Sequence, residues 1–194
     1  WPGTTGEGLG GAVATAMPDS GVKHPVTAVL LNFRGYDTLL EMLVLLLALI
    51  GVRSLGELPE TVAPDSPSPV LGELLLLLTP FLLLVSSYLL WRGSSGPGGA
   101  FQAGAVLGAA GVLWLLAARP TNQLPETRLV RPLLVAGVAF FAIAGMVFAV
   151  TEGAFLTYPG ARAGTLIFAI ETLASVSIAA TLIVLFVGTP AGDR

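Results

Sequence analysis

The chain has 194 residues, 54% of them hydrophobic and only 11% charged, with a net charge of −3. Soluble domains average about 25% charged residues; this composition, with a mean hydropathy of +0.85 and several long apolar runs, places the chain in a lipid bilayer. The lack of cysteine excludes disulfides and Cys-ligated metal centres, the single histidine (His24) excludes a multi-histidine site, and no basic block offers nucleic acid a footing.

The first stretch, residues 1–21, is glycine-rich, shows no helical periodicity and lacks the basic start and apolar core of a signal peptide. It reads as an extended loop. The chain opens on Trp1 rather than Met, which raises the expectation of a further segment upstream. In "HPVTAVLLNFRGYD", Val22, Val26, Val29, Leu30 and Phe33 recur at the spacing of one helical face. Pro25 suits a first helical turn and Gly35 an end. At roughly 10 residues the segment is too short to span a bilayer. It is expected to lie at the interface as an amphipathic helix, with Lys23 and Arg34 reaching headgroups. A short re-entrant segment packed in protein is the competing picture.

Five membrane-spanning helices follow, at about 38–55, 70–91, 100–118, 133–150 and 164–188. Each has the length the hydrocarbon core requires, and helices are the form that satisfies backbone polar groups there. The fold class is therefore all-α membrane protein: five transmembrane helices and a short interfacial helix after an extended N-terminal loop. The domain reading is 1–21 loop, 22–56 interfacial helix plus first span, 57–69 linker, and 70–194 a four-helix unit. The linker region 56–70 carries four prolines and three acids, and the loop 119–132 three arginines. Arginine-rich short loops favour the cytoplasmic side.

Few charges lie within the spans. Glu171 sits about 10 Å into the last helix, where a charge costs roughly 2.5–3.5 kcal/mol on insertion scales. It must face protein or water, and Ser175 one turn on suggests a polar seam. An ion or proton relay group and a neutral, hydrogen-bonded helix linker are both open readings. Glu41 closes "TLLE", a capping-box pattern in which Thr38 caps and Glu41 reaches back, and the helix N-terminus also favours acids such as Asp37 and Glu73. Arg34 has Asp37 and Glu41 as possible partners. Pro80 frees a backbone carbonyl inside the second span, which Thr79 is placed to satisfy. Gly104 and Gly108 form a GxxxG stripe for close helix packing. His24 titrates near neutrality in principle but stands by Pro25 at a membrane edge. No phosphate loop, nucleophile elbow or zinc spacing occurs, so the chain reads as non-catalytic and without a cofactor.

Two stretches resemble one family. "HPVTAVLLNFRGYDTLLEMLVLLLALIGV" (24–52), with Phe33, Arg34, Gly35, Tyr36, Asp37, Thr38 and Glu41 as its core, is similar to the C-terminal segment of the large A subunit of Mrp-type cation/proton antiporters. It is similar too to the matching small subunit of membrane-bound hydrogenases. "LLTPFLLLVSSYLLWRGSSGPGGAFQAGAVLGAAGVLWLL" (77–116) resembles the Mrp antiporter B subunit, MnhB, with Ala100 and Ala103 in place of two glycines. The helix bearing Glu171 resembles that subunit's last helix. The resemblance implies a subunit of a multisubunit Na+/H+ antiporter in a bacterial plasma membrane, packed beside large complex I-like antiporter subunits and helping to form the cation route. It shifts Asp37, Glu41, Glu171 and Glu73 toward ion-pathway roles, with Arg34, Thr38, His24 and Ser175 in support. The alternatives are the sodium module of a hydrogenase-like redox complex, which this sequence fits equally, and a scaffold without an ion path.

Overall fold

The computed structural model describes residues 9–55, 69–117, 130–153, 155–156, 158 and 162–187. Among these the chain is all helical. A short α1 (Leu9–Ala16) runs into a 3-10 turn (Met17–Asp19), followed by α2 (Pro25–Ala28), which widens into a π turn (Val29–Phe33). The long helices are α3 (Gly35–Ser54), α4 (Pro69–Arg92), α5 (Ala100–Ala117), α6 (Val130–Thr151) and α7 (Ala163–Val187). All five are long and apolar enough to cross a membrane and match the five expected spans within about three residues. The linker expected at 57–69 and the loop at 119–132 fall largely outside the described residues.

α7 is the centre of the bundle. Half of its apolar span is buried, and it packs against α5 on one side and α6 on the other, with α3 lying over α6 and α7 and α4 outside α5. Close approach is made by small residues. A Cβ at Gly104 would fall 2.9 Å from the Ser175 carbonyl oxygen, and one at Gly137 2.9 Å from Ala174 Cα. The GxxxG stripe on α5 therefore serves packing against α7. Phe141 and Ile167 are fully buried in the shared core. The outer faces of α3 and α4 carry exposed leucines and Phe81, as helices in contact with lipid or other helices do.

The sequence reading needs four local corrections. Residues 9–16, expected as extended loop, form a helix. Ala12, Ala14 and Ala16 are strong helix formers, and the Thr15 hydroxyl bonds back to the Gly11 carbonyl. The segment at 22–33, expected at the interface, is also packed on protein, as in the competing picture, with its Val26–Leu30–Phe33 stripe facing outward. Val26, Leu30 and Phe33 are exposed, while Val22, Thr27, Ala28 and Leu31 are buried. It packs on protein because the Lys23 and His24 N–H groups donate to the Ser94 carbonyl at 2.9 and 3.1 Å, and the Thr27 hydroxyl to that of Gly93.

The capping box is also absent. α3 begins at Gly35 and not Thr38. In the π turn the Arg34 N–H goes to the Val29 carbonyl, which leaves the Leu30 carbonyl for the Thr38 hydroxyl at 2.7 Å. Finally, Thr79 does not serve Pro80: its hydroxyl is buried without a partner, although α4 continues through the proline.

Candidate functional site

One end of each of the five long helices meets the 20–33 segment at the same end of the bundle. Five residues of the sequence core make specific contacts there. Arg34 and Asp37 pair at 2.7 Å, both well exposed. Gly35 lets α3 lie on Leu156, since a Cβ would fall 2.5 Å from its Cδ1. Tyr36 stacks on Phe155 with ring centroids 4.9 Å apart. Thr38 holds the π turn closed. Glu41, one turn beyond Asp37, is exposed and makes no ion pair among the described residues.

Opposite Glu41 stands Glu171, 2% exposed. The loop between α4 and α5, residues 93–99, wraps around its carboxyl. Gly98 and Gly99 have φ of +157° and +119°, conformations that side chains resist. A Cβ at Gly99 would lie 2.9 Å from Glu171 Oε1, and one at Gly93 3.1 Å from the same oxygen. The Ala100 N–H, at the N-terminus of α5, donates to the carboxyl. A carboxylate suits that position because the first amides of a helix lack partners and carry the positive end of its dipole. Oε2 has no partner.

A cavity of about 370 Å³ lies between the two acids, walled by Val26, Thr27, Leu30, Leu31, Thr38, residues 98–102, Glu41 and Glu171. A second space, an open surface groove of about 530 Å³, is lined by Asp37, Leu40, Glu41, Val44, Leu45 and Phe101. Glu41 and Phe101 belong to both walls, so Asp37, Glu41 and Glu171 lie in neighbouring spaces that meet at Glu41. Among the described residues no basic side chain lines either one, though Arg34 pairs with Asp37 at the edge of the second.

Other candidates lie elsewhere. Glu73 stands exposed near the start of α4, at the opposite end of the bundle. His24 precedes α2 and its side chain makes no cap bond. Ser175 is buried, and its hydroxyl bonds within α7 to the Thr172 carbonyl at 2.8 Å. Arg34 supports the site only through Asp37. Thr27, Phe101 and Gln102 are wall residues the sequence reading missed. Gln102 had a signal, as a polar residue in the first turn of an apolar helix directly after the glycine loop; Thr27 had none, because its neighbours come from residues 66 positions away.

A family model described as a domain related to the MnhB subunit of Na+/H+ antiporter matches residues 70–190. The chain superposes on a chain of the membrane-bound sulfane sulfur reductase (MBS), an archaeal respiratory membrane complex, with a TM-score of 0.78 and 27% identity, covering 94% of this chain and 84% of that one. It also superposes on a chain of the Mrp complex from Dietzia sp. DQ12-45-1b, with a TM-score of 0.69 and 26% identity over 97% of this chain. It spans 23% of that longer chain. No curated protein matches the chain. The five apolar helices and these neighbours describe a multi-pass membrane protein whose relatives work in multisubunit membrane complexes.

Proposed function

The chain belongs to the family of domains related to the MnhB subunit of Na+/H+ antiporters, and from that premise we propose that it is a non-catalytic subunit of a multisubunit cation/proton antiporter, lining part of the cation route in a bacterial plasma membrane. The observation that carries the proposal is the pair of neighbouring spaces that meet at Glu41 and bring Asp37 (paired with Arg34), Glu41 and the buried Glu171 to one end of the bundle. Acids inside a membrane bundle are expensive and mark ion paths when they face a cavity. With the arginine-rich side cytoplasmic, this acidic end opens on the opposite side of the membrane. Partners are large antiporter-like subunits, set against the exposed faces of α3 and α4.

In everted membrane vesicles, Glu41→Gln is expected to lower sodium/proton exchange by at least tenfold while the complex still assembles; normal exchange would sink the route. Glu171→Gln is expected to do the same. Loss of assembly in that variant would return Glu171 to the role of helix linker, through Ala100.

A second reading is favoured by the likeness to the archaeal sulfane sulfur reductase complex: the same ion module serving a hydrogenase-like redox complex. Purification of the chain from its native membrane in mild detergent separates the two, since iron–sulfur or hydrogenase-like proteins accompany it only in the redox case.

A further inference from the structure

The fold treats the two acids of α3 differently. Asp37 has a base from its own chain, Arg34, at 2.7 Å. Glu41 is exposed and makes no hydrogen bond or ion pair among the described residues. It nonetheless stands deep. Counted from Gly35, the first residue of α3, it lies about 9 Å along the helix at ~1.5 Å per residue. Glu171 lines the same cavity and lies about 12 Å along α7 from Ala163 by the same count. Both counts put Glu41 inward of the Arg34–Asp37 pair, at a depth where the helices are otherwise apolar.

The surroundings of Glu41 on the outer face of α3 are apolar too. Leu40, Val44, Leu47 and Ile50 are each more than half exposed, and the open groove beside them is closed on one side by Phe101. α3 packs inward on α6 and α7, and among the described residues nothing covers the outer face. Lipid is a poor cover for it. A carboxylate in hydrocarbon is costly, and acids at this depth turn to protein, to water or to an opposite charge. The other base of α3, Arg53, is in its last turn at the far end. A second copy of the chain in a two-fold contact would set Glu41 near its own counterpart, acid against acid. A helix is the form of chain that satisfies its own backbone in the bilayer. The cover that fits is therefore a spanning helix, apolar along its length to match the leucine face and basic at one point.

We propose that the Leu40–Val44–Leu47 face of α3 docks a membrane-spanning helix of another subunit, and that this helix brings a lysine or arginine to Glu41. The inference rests on the multisubunit antiporter reading above and names the surface and the chemistry of one contact within it. Glu41 then meets the partner's base on its outer side and the cavity with Glu171 on its inner side, and the docked helix completes the wall between that cavity and the lipid.

The chain has no cysteine, so a single one introduced into it is a unique handle. Val44→Cys, about one turn inward of Glu41, is labelled with a benzophenone maleimide in native membranes holding the whole complex and then photolysed. Mass spectrometry should find the adduct on an apolar helix of another subunit, with a lysine or arginine within about two turns of the crosslinked residue. Adducts confined to lipid, to a second copy of this chain, or to a helix without such a base overturn the proposal. Where Val44→Cys lowers the yield of complex, Leu47→Cys reports on the same face. Once the base is located, the unfolding temperature of the purified complex should fall in Glu41→Gln and in the variant with that base replaced by glutamine, and fall no further when the two are combined. Additive losses overturn the pairing. A base-bearing helix at Val44 with normal exchange in Glu41→Gln keeps the contact and removes the ion route. Adducts to lipid alone with exchange lost in Glu41→Gln do the reverse.

Discussion

At the scale of single residues, glycines place the acids. Two of them sit in contact with very different neighbours, and the difference decides what substitution does. A Cβ at Gly98 would lie 2.3 Å from the Leu89 carbonyl oxygen, on a backbone with φ of +157°. Backbone cannot swing aside, so Gly98→Ala must break the turn that brings Ala100 to Glu171. A Cβ at Gly35 meets the tip of the Leu156 side chain, which has some freedom to move. Leu156 is itself buried with a positive φ of 62°, so its freedom is limited. Gly35→Ala is expected to cost about 1–3 kcal/mol, the usual range for overpacking. Gly98→Ala should abolish accumulation of the folded chain, and Gly35→Ala should only lower its unfolding temperature in detergent. The reverse order in thermal denaturation of the two variants would contradict this account of the loop.

At the scale of elements, the connection between α6 and α7 anchors α3 from beneath. Phe155 stacks on Tyr36, Leu156 fills the space under Gly35, and Tyr158 tilts against Phe148 with ring centroids 5.2 Å apart. Tyr158 is buried and its hydroxyl has no partner. Burial disfavours the phenolate and raises the group above its ordinary value of 10.0. The folded chain then holds the proton more tightly than the unfolded chain does. Stability linked to this group is full below pH 10 and falls as pH rises beyond it. Tyr158→Phe should therefore resist alkaline unfolding better than wild type above about pH 10, and be no less stable at neutral pH, because the lost hydroxyl made no bond. Unfolding temperatures across pH 7 to 11 would check it, and identical alkaline slopes in the two proteins would refute it.

These elements also show how far the sequence could be read. The five spans were legible because about 20 apolar residues in a row have few other destinations. Glu171 was legible for the complementary reason, as a charge where charge is costly. The turn preceding α3 was not, because its register depends on a π turn closed by Thr38 eight residues away. Nor was the meeting of Glu171 with the 93–99 loop, which is a contact between segments about 75 residues apart in sequence and leaves no local pattern.

At the scale of the whole molecule, the question is what joins residues 9–55 to residues 69–187. The contacts are numerous and specific. Gly21 presses so closely on Ala163 that a Cβ would fall 2.4 Å from the alanine's own Cβ. Ser94 receives two backbone N–H groups from Lys23 and His24. Met42 is buried at Gly137, between α6 and α7. Polar bonds and apolar burial both cross the seam, and the cavity holding Glu41 and Glu171 exists only while they do. None of these contacts needs the peptide link through 56–68. We therefore propose that the two parts are separable pieces of chain that recognise each other. A protease recognition sequence placed within 56–68 tests this in the assembled complex. After cleavage, the two fragments should elute together on size exclusion in mild detergent. Fragments that part on cleavage would show that the covalent link, rather than the packed seam, keeps the acids facing each other.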